Sequence, residues 1–204
     1  MRPRWPSPSA ARYGSEQPTR PARPLAVLAL TPTLLTTLLA SFYPSVFSTL
    51  RRDPWALLHG ELWRLVSPVL VQADFLQSEG RWRAIAVWGL VATILVIAER
   101  ALGTRRSLLL YGVGALVGHG VGELWQPYGA GCSVAGCGVL GGIVGWLWRA
   151  KPLPLKIGAT AWLTAAAVLT VLQDIHGPPL LAGACIGLRL SRAVPLPERW
   201  ARHE

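Results

Sequence analysis

The chain has 204 residues, of which 51% are hydrophobic and only 15% charged, with a net charge of +10. Its long uncharged runs exclude an ordinary soluble domain, and the predicted class is an all-α membrane protein with several spans. The basic excess does not point to nucleic acid, because Arg and Lys fall in the gaps between apolar runs, where they act as topology signals.

In chain order, residues 1–24 are rich in Pro, Arg and Ser and lack apolar periodicity. They read as a disordered basic cytosolic tail. A basic stretch before an apolar run is also the pattern of a signal peptide. The long basic region, the extent of the run from Leu25 to about Val46 and the weak cleavage signal near Ala40 favour a retained first span. Six predicted spans then cover roughly 25–46, 84–98, 107–124, 132–148, 157–173 and 177–194. They form one membrane domain over 25–194, and residues 195–204 form a second cytosolic tail.

The first connection, 47–83, is not an ordinary loop. "DPWALLHGELWRLVSPVLVQADFLQ" mixes Trp55, Trp63, Leu and Val with charges. This composition suits amphipathic segments lying in the outer interface, with Trp at headgroup depth. The other connections alternate in charge. Arg100, Arg105 and Arg106 follow span two, and Arg149, Lys151 and Lys156 follow span four. The connections "QPYGAG" after span three and "QD" after span five hold no Lys or Arg. With Arg-rich tails at both ends, the positive-inside rule places both termini in the cytosol.

Under that topology span four and span six both start at the outer face. Ser133 lies at the start of span four and His176 at the start of span six. A serine hydroxyl is barely ionised at neutral pH, so it becomes a nucleophile only beside a base such as histidine. On span six, His176, Gly183 and Gly187 fall within roughly 20° of one another at 100° per residue. The histidine therefore shares a small-residue stripe suited to close helix packing. On span four, Gly136, Cys137 and Gly141 lie on the Ser133 side, and Gly138 and Gly142 form a GxxxG pair. Close approach of these two spans would bring Ser133 and His176 within hydrogen-bond reach.

The motifs "GCSVAGCGVLGG", "HGPPLLAGACIG", "ELWRLVSPVL" and "ERALGTRRSLLLYGVGALVG", in this order and topology, resemble the rhomboid intramembrane serine proteases. The resemblance covers about residues 25–192. It implies a six-transmembrane-helix bundle with an interfacial first loop. It also implies a catalytic dyad of Ser133 and His176 without an acid, and cleavage of membrane-anchored substrates near the outer face. Gly138, Gly141, Gly183 and Gly187 become packing residues, and Trp63 and Arg64 match the Trp-Arg motif of the first loop, with Arg64 as its anchor. Three departures mark a divergent member. Val134 stands in place of the second Gly of GxSG, and Pro179 in place of a Gly of the histidine stripe. Span two, where the family carries a His and an Asn that help hold the oxyanion, reads "RAIAV" over 83–87. Gln72 and Gln77 are candidate substitutes.

The bare second span also leaves open an inactive relative that binds transmembrane client helices without cutting them. A transporter is disfavoured, because no inverted repeat or paired midplane charges occur. His119, inside span three without a matched partner, is expected to serve as a structural hydrogen-bonding residue. Asp174, two residues before His176, is a candidate third catalytic member, but the preferred expectation is that it sits solvated in the short outer loop. Cys132, Cys137 and Cys185 lie in apolar runs without metal-ligand spacing, and no cofactor motif is present. The expected partners are the lipid bilayer and transmembrane substrates or clients.

Overall fold

A computed structural model describes residues 25–150 and 152–192. The tails assigned from sequence to 1–24 and 195–204 lie outside these residues. The described chain is helical throughout. Eight α-helices run Leu25–Phe42 (α1), Pro44–Leu50 (α2), Pro54–Leu58 (α3), Arg81–Leu102 (α4), Thr104–Trp125 (α5), Ser133–Leu147 (α6), Leu153–Val171 (α7) and Gly177–Leu190 (α8). Three 3-10 turns, Leu62–Leu65, Ser67–Leu70 and Ala73–Leu76, lie between α3 and α4.

Four helices, α1, α4, α5 and α7, are long and apolar enough to cross a membrane. The apolar helices α6 and α8 are shorter, with 15 and 14 residues. At 1.5 Å per residue they span about 22 Å, less than the roughly 30 Å hydrocarbon layer. They occupy the middle of the bundle. α6 packs against α4, α5, α7 and α8, and its heaviest contact is with α8. Eleven of its 15 residues are buried.

Two predicted boundaries shift. The first apolar segment stops at Phe42 rather than at residue 46, because Pro44 starts the separate helix α2. The second is far longer than its apolar run over 84–98. Arg81, Trp82 and Arg83 start the helix, and it passes through Glu99 to Leu102. Glu99 is tolerated there because its carboxylate is satisfied. It accepts from the Leu25 backbone N–H at 3.3 Å and from the Thr104 hydroxyl at 2.8 Å. A buried charge with such partners costs far less than a bare one. Val91, Leu95, Leu102, Leu110, Val139 and Trp146 form the core where α4, α5 and α6 meet.

The connection between α2 and α4 is folded against α1, α4, α5 and α6. Arg64 is buried, donates to the carbonyls of Ser48 and Arg51 at 2.9 and 2.8 Å and pairs with Glu61 at 2.7 Å. Trp63 beside it is 52% exposed. From α1, the Thr33 hydroxyl donates to the Val69 carbonyl at 3.0 Å, and the Thr36 hydroxyl donates to that of Leu70. The Thr37 hydroxyl accepts from the Gln72 backbone N–H at 2.9 Å. Three threonines spaced along one helix face thus carry the connection in register and fix where Gln72 sits.

Candidate active site

The site is assembled by the contact of α6 with α8. A side chain on Gly141 would strike the Leu180 carbonyl, and one on Gly145 that of Ala184. Side chains on Gly183 and Gly187 would strike the carbonyls of Gly138 and Gly142. The two backbones touch, as small residues allow in lipid. The other glycines of α6 serve different neighbours. Gly136 faces Val91 of α4, and Gly138 and Gly142 face Gly114 and Leu110 of α5. A central helix with three close neighbours needs small residues on three sides.

Ser133 is the first residue of α6, and His176 immediately precedes α8. The close packing sets these two helix starts side by side. The Ser133 Oγ lies 2.9 Å from His176 Nε2, across 43 positions of sequence. Both residues are half-buried. Pro179 falls within the first turn of α8. An N–H there would have no intrahelical partner, so proline is accommodated in place of a glycine.

Asp174 is more than a solvated loop residue. It stays partly exposed, but the α7–α8 turn folds it back onto His176. Gln173 takes φ 57°, the Asp174 N–H donates to the Leu169 carbonyl at 2.8 Å, and the Gly177 N–H donates to the Asp174 carbonyl at 3.2 Å. Its Oδ1 then lies 2.6 Å from His176 Nδ1 and accepts the His176 backbone N–H at 2.9 Å. Burial alone would raise the pKa of this carboxyl. The backbone and ring N–H groups of His176, with the ring's charge, outweigh that and hold it below its ordinary value.

The approach to Ser133 is clamped by the first connection. Arg52 donates from Nε to the Gln126 carbonyl at 3.0 Å and from its backbone N–H to the Gly129 carbonyl at 3.0 Å. Its guanidinium also meets the fully buried His119, with Nη1 3.1 Å from Nδ1. This is the partner that His119 lacked in sequence. The Ala73 N–H donates to the Ala130 carbonyl at 3.2 Å, and the Gly131 N–H to that of Pro68 at 3.0 Å. A cavity of about 480 Å³ opens beside this segment, lined by Phe47, Arg52, Leu76, Gln77, Tyr128 and Gly129 among others.

Gln72 is buried against the residues just before the serine. Its Oε1 accepts from the Cys132 N–H at 3.4 Å, and its Nε2 donates to Asp74 Oδ2 at 3.2 Å. A Cβ on Gly131 would stand 3.2 and 3.3 Å from the two amide heteroatoms, so glycine there permits the approach. Gln77 is exposed on the cavity lining and is not brought to the serine turn in this way. No side-chain cap is made at Cys132, and the first α6 bond runs from the Gly136 N–H to the Cys132 carbonyl at 3.0 Å. Earlier N–H groups of the helix have no intrahelical partner.

Over 83–87 the second span carries no His or Asn. Ala84 and Val91 are buried, and Val87 packs on the apolar core. Val134 is explained by its neighbour. A Cβ on Gly118 of α5 would stand 2.5 Å from the Val134 Cβ, so the bulk at 134 is matched by a glycine opposite. Among the described residues, no cluster of three or more His, Cys, Asp or Glu side chains could hold a metal ion. The three cysteines are free.

No protein-family model matches the chain, and the comparison with curated proteins found no match. Sequence reasoning did not connect Arg52 to this region, since it lay in a first connection whose basic residues only broke the charge alternation. It weighed Asp174 as a third member of the site but preferred a solvated loop position.

Proposed function

We propose that this chain is an intramembrane serine protease, a divergent relative of the rhomboid proteases, with all six apolar helices as spans and both termini cytosolic. The observation that carries the reading is the 2.9 Å contact between Ser133 Oγ and His176 Nε2. In the proposed reaction the Ser133 proton passes to Nε2 as Oγ bonds to a substrate carbonyl carbon. The resulting oxyanion is met by the N–H groups at the start of α6 that lack intrahelical partners and by the second Nε2 hydrogen of Gln72, the first being donated to Asp74. The tetrahedral species collapses, the C–N bond breaks, and Nε2 returns the proton to the leaving amine. Water, deprotonated by the same nitrogen, then releases the acyl group.

The short helices support this reading. α5 has 22 residues and α6 has 15. With their cytosolic ends level, the start of α6 would lie roughly 10 Å below the outer end of α5 at Trp125. A recess of that depth lets water reach a bond near the outer edge of the hydrocarbon layer. Substrates would be transmembrane proteins whose helices unwind near the outer face.

One observation favours a second reading, in which client helices are bound but not cut. The apolar face of α4 lacks the donors that the family carries in its second span. Labelling of the purified protein with a fluorophosphonate probe separates the two. Labelling that Ser133→Ala abolishes is expected. Binding of single-span proteins with neither labelling nor cleavage would establish the second reading.

A further inference from the structure

We propose that Asp174 is a positioning residue that holds His176 with its Nδ1 protonated and its Nε2 open to Ser133. The inference rests on the reading of Ser133 and His176 as nucleophile and base, and extends that pair to a three-residue array.

The argument starts from what each atom can do. An ionised carboxylate only accepts hydrogen bonds, and a neutral imidazole carries one N–H. A 2.6 Å contact between Asp174 Oδ1 and Nδ1 therefore puts the hydrogen on Nδ1. The lone pair is left on Nε2, 2.9 Å from the Ser133 hydroxyl. That is the tautomer a general base needs. His176 is half-buried at the start of a helix. Without the carboxylate its ring could turn and exchange tautomers. When Nε2 takes the serine proton, both nitrogens carry hydrogen and the ring is positive. The carboxylate then faces that charge at short range, and the Nδ1 proton stays where it is.

Asp174 is placed for this by a rigid turn. Its N–H and carbonyl are both bonded, to Leu169 and Gly177, so its side chain has a fixed origin. The turn is pressed onto α7, where a side chain on Gly177 would strike Thr170 and the Ala166 carbonyl. The same Oδ1 also caps the His176 backbone N–H. A purely structural role would consist of that cap alone. Asn can keep the cap, but its amide can also donate to an unprotonated Nδ1 and so stabilise the wrong tautomer. Asp174→Asn therefore separates the two roles, and Asp174→Glu tests recovery of the carboxylate.

The test uses the full chain in detergent micelles, labelled with ¹⁵N-histidine. There are four histidines, and His176→Ala assigns the relevant signal. The wild type should show His176 with Nδ1 protonated, and Asp174→Asn should lose that signature while keeping its melting temperature. Its kcat on a single-span substrate should fall about 10²-fold or more with KM little changed, and Asp174→Glu should recover part of the loss. A wild-type His176 protonated on Nε2, or an Asp174→Asn variant with wild-type tautomer and kcat, would overturn the inference. Absence of fluorophosphonate labelling at Ser133 would instead sink the protease reading, and the tautomer of His176 would still decide the role of Asp174.

Discussion

Gly183 of α8 rests on the carbonyl oxygen of Gly138 in α6, with no room for a side chain between them. The obstacle is backbone, which cannot rotate away as a side chain can. Gly183→Ala should therefore already be costly, and Gly183→Leu more so. Overpacking typically costs about 1–3 kcal/mol, and a clash with a helix backbone belongs at the upper end or beyond. Both variants should lower the melting temperature in detergent and weaken probe labelling, because the same contact sets the Ser133–His176 distance. Unchanged stability and labelling would remove this interface from the account.

Ser133→Ala and His176→Ala should each reduce cleavage to near background. The double variant should be little worse than either single one, since a nucleophile and its base act as a unit. Additive losses in a complete cycle would show that the two side chains contribute separately.

Gln72 is expected to supply transition-state stabilisation that the second span lacks. Gln72→Glu keeps an acceptor for the Cys132 N–H and removes the amide donor, whereas Gln72→Leu removes both. Each should lower kcat by about 10²–10³, or roughly 3–4 kcal/mol, the usual cost of losing one oxyanion donor. Wild-type kcat in both variants would leave the hole to the backbone alone.

Val134 and Gly118 form a matched large–small pair across α6 and α5. Val134→Ala should cost about 1–3 kcal/mol by leaving a void. Gly118→Ala should cost a similar amount by overfilling the same space. Combined, the two should cost less than their sum, because each relieves the fault of the other. Strict additivity in thermal melts would contradict the pairing.

The proposed orientation predicts a cytosolic connection between α6 and α7. A Cys introduced at Pro152 should resist a membrane-impermeant thiol reagent applied from outside, and should react once the membrane is permeabilised. Strong labelling from outside would invert the bundle and move Ser133 away from the outer face.

Much of the helical layout was legible in the chain. Long apolar runs admit few structures in lipid other than helices, because every backbone group must find a partner within its own segment. The stripe of His176, Gly183 and Gly187 indicated which face of α8 packs tightly, since helical periodicity converts spacing into direction. Legibility failed wherever a charged or polar residue found a distant partner. Glu99 bounded the apolar run but lies inside the last turn of α4, its carboxylate satisfied by Leu25 and Thr104. Arg52, one of several basic residues in the first connection, is tied to His119, Gln126 and Gly129.

The sequence alone thus determined that the chain is helical and membrane-embedded in character, and that Ser133 and His176 head two small-residue helices. These properties follow from local composition and periodicity. Only the tertiary structure decided that Asp174 turns back onto His176, that Gln72 rather than Gln77 reaches the serine turn, and that Val134 is accommodated by Gly118. Each depends on a turn dihedral or on a contact between segments far apart in the chain. Residue type and spacing constrain such contacts only weakly, whereas hydrogen-bond geometry and close packing define them to within a few tenths of an ångström.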